Sequence, residues 1–134
     1  MSAFLDTSVL VRYLVGTPPQ MAAEATRLID GPTDLWVTDG VLAETGYVLT
    51  SVYGVPRDAA IDALIALVRR RNIRPYGLDK SIVLQALLLC RPSGRVSFAD
   101  AMLWAVARAA DSRVVYSFDR RFPADGIEVR RSVS

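Results

Sequence analysis

Short runs of β-branched and aromatic residues alternate with longer stretches of helical period along this 134-residue chain, which predicts strands separated by helices. Ala3–Asp6 reads as a strand, and Thr7 or Ser8 opens a helix through TSVLVRYLVG that Gly16 closes. Pro18 and Pro19 suit the first turn of a second helix, QMAAEATRLIDG, ending at Gly31. Leu35–Thr38 reads as the next strand, followed by a helix from about Gly40 to Val52 with an apolar arc at 41, 42, 45, 48 and 52. Pro56 marks the start of an amphipathic helix, Arg57 to Arg71, apolar at 61, 64, 65 and 68. Ile73–Tyr76 is a third strand, Lys80–Cys90 and Phe98–Ala109 are helical, Arg113–Phe118 is a late strand, and Ile127–Arg131 adds an edge strand. Strands alternating with helices in this way predict a three-layer α/β/α sandwich with a mostly parallel central sheet. In that class, ligands gather beyond the carboxyl ends of the strands.

Length and composition narrow the picture. The chain is expected to form one domain over 1–134, large enough to fold around its own core without a disulfide or metal staple. Half of it is hydrophobic (51%), yet its longest apolar runs fall far short of the roughly 20 residues that span a bilayer. The opening MSAFLDT lacks the basic start of a signal peptide, so a soluble, cytoplasmic protein is expected, with no membrane partner. Cys90 has no intrachain partner and, inside IVLQALLLC, reads as a small core residue.

Four acids interrupt apolar stretches: Asp6 in AFLDTSVL, Glu44 in GVLAETGYVL, Asp100 in VSFADAMLWAV and Asp119 in VVYSFDRRF. An unpaired charge in such surroundings costs several kcal/mol, on the order given for desolvation. Each has a local explanation. Asp6 suits a helix N-cap, Ser97-x-x-Asp100 resembles a capping box, and Asp119 suits a turn after a strand. Glu44, five residues into a helix, caps nothing. Together, two acids at strand ends and two on helices suggest convergence at one edge of the sheet. Two carboxylates about 4 Å apart repel by roughly 4 kcal/mol at an effective dielectric near 20, and a divalent cation removes that penalty. The chain has no histidine and one cysteine, so any metal is held by oxygen, which points to Mg²⁺ or Mn²⁺.

Fifteen of the sixteen cationic side chains are arginine, on a chain with a net charge of only +2. The guanidinium fork pairs two phosphate oxygens at once, so this balance permits nucleic acid without demonstrating it. Candidate phosphate contacts are Arg120 and Arg121 beside Asp119, Arg12 on the first helix, and Arg91 or Arg95 before Asp100. Arg69–Arg71 and Arg74 sit where a helix ends, and there cations complement the helix dipole. Trp104, in an apolar helix, reads as core.

The segments LDTSVLVRYL, VLAET, SFADAMLWAVA and YSFDRRF, taken in that order, resemble the PIN-domain family, in particular the VapC-type toxin ribonucleases of toxin–antitoxin pairs. The resemblance spans essentially the whole chain. It implies a Mg²⁺- or Mn²⁺-dependent endoribonuclease, a homodimer, RNA as substrate and a small antitoxin that covers the active-site groove. It also implies Asp6 and Asp100 as principal metal ligands, Asp119 assisting directly or through water, and Glu44 orienting or activating the attacking water. Thr7 and Ser117 match hydroxyl positions flanking the family's site, where they support it by hydrogen bonds. Serine stands at 117 where threonine is common, and the hydroxyl is retained.

Two other readings compete. One is a catalytically silent module that keeps the fold and binds RNA or a partner. The other is a phosphohydrolase with Asp6 as the nucleophile of an aspartyl-phosphate, a site that needs a lysine near the phosphoryl group. Lys80 is the one lysine available.

Overall fold

The computed structural model describes residues 2–133. Five strands and six helices follow in order: β1 (Ser2–Phe4), α1 (Thr7–Val15), α2 (Pro19–Ile29), β2 (Asp34–Val37), α3 (Asp39–Ser51), α4 (Arg57–Val68), β3 (Ile73–Pro75), α5 (Lys80–Leu89), α6 (Phe98–Ala109), β4 (Val114–Tyr116) and β5 (Glu128–Arg130). All described strand pairs are parallel, and the alternation with helices gives the α/β/α class that the sequence predicts. The sheet itself differs from expectation. In place of one continuous sheet there are two, β1-β2-β3 and β4-β5, because strands of three or four residues offer few ladder bonds each and β1 bonds to β2 alone.

Local chemistry explains where the helices begin. Asp6, with extended backbone, caps α1; the Thr38 hydroxyl caps α3 by accepting from the Val41 amide at 3.2 Å; Ser97 caps α6. Proline opens α2 and precedes α4. Gly16 ends α1 in the left-handed region at φ 84°, a conformation that side chains other than glycine's resist. α4 ends at Val68 and not at Arg71, because the Arg70 amide tightens onto the Leu67 carbonyl three residues back in place of the α-helical bond.

Period-two alternation divides the three-stranded sheet into unlike faces. Leu5, Leu35, Val37 and Ile73 point into one core with Ile61, Leu64 and Val68 of α4 and Val83 and Leu87 of α5. Phe4, Trp36 and Tyr76 meet on the other face at ring-centroid distances of 5.2 to 6.4 Å. Cys90 and Trp104 are buried core residues, as expected, and the Trp104 indole N–H donates to the Asp125 carbonyl at 2.8 Å. No helix among the described residues is long and apolar enough to cross a membrane.

The helix that carries Glu44 is rotated from its expected setting. Its buried face is Leu42, Thr45, Gly46 and Leu49, while Val52 is exposed. The cause is Gly46: a Cβ there would stand 2.5 Å from Phe98 Cδ1, so the missing side chain is what lets α6 lie close against α3. α3 also packs against α1. The helices that bear Asp6, Glu44 and Asp100 are thereby joined in one packed group.

Candidate active site at the carboxyl ends of the strands

Within each sheet the parallel strands send their carboxyl ends to one edge, and an acid follows three of them in sequence. Asp6 follows β1, Asp39 follows β2 and Asp119 follows β4. Asp6 is exposed and accepts at Oδ2 from the Ser8 amide (3.1 Å) and the Ser8 hydroxyl (2.6 Å). The hydroxyl above all, then the amide, holds the Asp6 carboxyl below the ordinary carboxylate value. Thr7, next in line, is buried, and its Oγ1 has no hydrogen-bond partner, which is uncommon for a buried hydroxyl.

Glu44 is exposed on α3, turned away from the buried face of the helix. It lines a cleft of about 400 Å³ with Tyr47, Arg57, Ser97, Phe98 and Ala99. The cleft therefore runs to the N-terminus of α6, where Asp100 sits in the first turn with its amide donating to Ser97 Oγ at 3.0 Å. Asp100 is half-buried, and its acidic side chain complements the helix dipole. Neither carboxylate, Glu44 nor Asp100, makes a hydrogen bond or ion pair with another described residue.

Arg57 stiffens the floor of this cleft. Its Nε donates to the Cys90 carbonyl at 2.5 Å, its Nη2 to the Val96 carbonyl, and its guanidinium lies 4.5 Å from the Phe98 ring centroid.

Asp119 is half-buried on the second sheet and its partners are local. Its amide donates to Ser117 Oγ at 3.0 Å, its Oδ1 accepts from the Arg121 amide at 2.8 Å, and Arg121 Nε lies 3.7 Å from the same oxygen. Ser117 thus shapes the Asp119 turn. Arg120 is exposed, and its side chain has no partner among the described residues.

Two expectations need correction. The acids do not lie buried in apolar surroundings: Asp6 and Glu44 are exposed and the other two half-buried, because the apolar neighbours in sequence face the core while the carboxylates end helices or face outward. Nor are all four drawn tightly together as their side chains stand; among the described residues no three acidic or cysteine side chains form a group able to hold a metal ion. The oxygen-only donor chemistry fits a hard dication, and the spacing of the side chains does not yet provide its cage.

The arginines also divide. Arg12 is half-buried, with Nη1 engaged by the Thr17 carbonyl (3.2 Å) and the Tyr53 hydroxyl (2.8 Å), so it ties α1 to the end of α3. Arg91 grips both oxygens of Asp62 at 2.8 and 2.9 Å. Arg70 and Arg74 pair with Asp30 and Asp34. Lys80 donates to the Arg70 carbonyl at 2.6 Å, which takes its ammonium away from any phosphoryl group on Asp6. Ser8 as the partner of Asp6, and Asp39 after β2, are not among the sequence-based site candidates. The signal was present: a hydroxyl two residues past a capping acid in Asp6-Thr7-Ser8, and a second acid straight after a strand in Val37-Thr38-Asp39.

A PIN domain family model matches residues 3–125. The chain belongs to the PIN domain family. Among solved structures this PIN domain is similar to VapC20 of Mycobacterium tuberculosis, described as a sarcin-ricin loop cleaving toxin, with 26% identity, coverage of 93% of this chain and 95% of that chain, and a TM-score of 0.44. No curated protein matches it significantly.

Proposed function

We propose that this PIN domain, acting as one unit over 1–134, is a Mg²⁺- or Mn²⁺-dependent endoribonuclease of the VapC toxin type, hydrolysing RNA phosphodiester bonds. The observation that carries the reading is partnerless Glu44 lining a cleft that reaches the first turn of α6, the turn that carries partnerless Asp100, in a chain of this family. Asp6 and Asp100 would hold the ion, with Asp119 assisting directly or through water once its carboxylate leaves Arg121. A dication held there would supply Lewis-acid polarisation of a phosphoryl oxygen and a more acidic water. Glu44, free of any cation, accepts the proton of the attacking water at a carboxylate oxygen. Thr7 Oγ1, orphaned beside Asp6, is a hydroxyl ready to steady that site. Arg120 and Arg121 meet the flanking phosphates, and Arg12 supports from within through its bonds to Thr17 and Tyr53. A homodimer, a small antitoxin partner and a cytoplasmic location belong to the same reading.

Purified protein with Mg²⁺ or Mn²⁺ cuts RNA under this proposal, EDTA stops the reaction, and Asp6→Asn or Asp100→Asn abolishes it. Cleavage that persists in both variants rules the assignment out. A silent interaction module is the second reading, favoured by the absence of a gathered acid trio among the described residues. It gains if millimolar Mg²⁺ or Mn²⁺ neither raises the melting temperature nor supports cleavage. The aspartyl-phosphate reading loses its lysine to Arg70.

A further inference from the structure

Phe118 is 89% exposed, more than any other aromatic side chain described, and it stands immediately before Asp119. Leaving such a ring in water forgoes the stabilisation that burying it would bring. Tyr116, 56% exposed, precedes it by two residues, while Val115 before it turns into the core. The two rings line a cleft of about 450 Å³ with Arg130 and Arg131, held there because β4 and β5 pair with Tyr116 opposite Arg130. Around them the guanidinium groups differ in availability. Arg130 is paired with Glu128, whereas Arg131 reaches only the Asp119 carbonyl at 3.5 Å and Arg120 has no partner among the described residues.

Exposed ring faces interleaved with uncommitted planar cations complement a polymer that alternates flat bases with phosphates. An unpaired strand offers its base faces to such a surface, and a duplex hides them in its own stack. We propose that Phe118, with Tyr116 beside it, is a stacking platform for unpaired bases of the RNA substrate, and that Arg120 and Arg131 hold the adjoining phosphates so that the strand passes Asp119. This rests on the reading of the chain as a ribonuclease and adds the residues that select unpaired RNA.

The test is fluorescence anisotropy with a labelled unpaired oligoribonucleotide of mixed sequence and with its duplex, in EDTA so that no cleavage occurs. The unaltered chain binds the unpaired strand more tightly than the duplex. Phe118→Ala weakens the unpaired strand roughly fivefold to a hundredfold, Phe118→Trp restores it, and duplex affinity stays the same. Loss of stability does not intrude, since the exposed ring packs against little; a thermal melt verifies this. In Mg²⁺, Phe118→Ala raises KM and leaves kcat near its original value. Unchanged affinity in Phe118→Ala, equal weakening on the duplex, or no RNA binding by the unaltered chain each overturns the proposal. So does loss of self-association in Phe118→Ala by sedimentation with RNA binding intact, which would assign the patch to a second copy. Cleavage with no dependence on Phe118 refutes the platform and leaves the nuclease standing; Phe118-dependent binding without cleavage does the reverse.

Discussion

Replacing Gly46 by alanine puts the contact that positions Glu44 and Asp100 under direct strain. The added Cβ would lie 2.5, 2.7 and 2.8 Å from Phe98 Cδ1, Cε1 and Cγ, about 1 Å inside the ordinary carbon–carbon separation of roughly 3.5–4.0 Å. The Phe98 ring has little room to yield, being buried in the core with the Arg57 guanidinium over its face. A clash under 3 Å against a buried ring lies toward the upper end of overpacking costs, about 2–3 kcal/mol, while alanine regains about 1 kcal/mol of helix propensity. The net is a loss of about 1–2 kcal/mol. Urea denaturation reads it as a midpoint lower by roughly 0.5–1 M for an m-value of about 2 kcal/mol/M. Phe98→Leu removes the ring, so the Gly46→Ala/Phe98→Leu pair should show favourable coupling of about 1 kcal/mol in a double-mutant cycle. RNA cleavage by Gly46→Ala should also fall, since α3 and α6 are forced apart. A Gly46→Ala protein as stable as its parent, or an additive cycle, would show that the two helices have slack and that their contact does not set the cleft.

Other consequences are as direct. Glu44→Gln leaves the melting temperature within a degree or two, since the side chain is exposed and partnerless, but lowers kcat by about 10²–10⁴-fold; a change below threefold removes Glu44 from the chemistry. Ser8→Ala moves the Asp6 carboxyl up toward its ordinary value, read by carboxyl-carbon NMR. Because the folded value is depressed, the cap's contribution is present above the ordinary Asp value of 3.8 and is lost as pH falls through the depressed value. Ser8→Ala should therefore flatten the acid limb of the stability curve, and an unaltered Asp6 titration refutes the contact. Arg57→Leu leaves the Cys90 and Val96 carbonyls unpaired and should cost about 2 kcal/mol or more in urea; a neutral result would show that water replaces the guanidinium at no loss.

Much of the fold was legible because it is written locally. Ser97 and Ala109 bound α6 as the sequence predicts, Pro56 marks the start of α4, and Asp6, Thr38 and Ser97 cap helices through bonds spanning two or three residues. Strand ends were read slightly too long: Asp6 keeps extended backbone yet turns its hydrogen bonds to the helix beyond. What depends on distant partners was not legible. The division into two sheets, the pairing of Arg91 with Asp62 across 29 residues and the rotation of α3 about Gly46 all arise from tertiary packing. The acids stand out in the sequence by their discord with apolar neighbours, a signal that says little about burial, since a helix end carries a charge outward whatever precedes it. The family itself was legible in the order of four short segments, and a PIN domain model matches residues 3–125.

Whether the acids act as one site can be read from Mn²⁺-induced broadening of their carboxyl NMR signals in the carbon-13-labelled protein. At substoichiometric Mn²⁺, the signals of Asp6, Glu44, Asp100 and Asp119 should broaden together while that of Asp111, exposed beyond the far end of α6 from Asp100, stays sharp. Uniform weak broadening of all surface carboxylates, or four signals that respond at separate Mn²⁺ concentrations, would contradict the account.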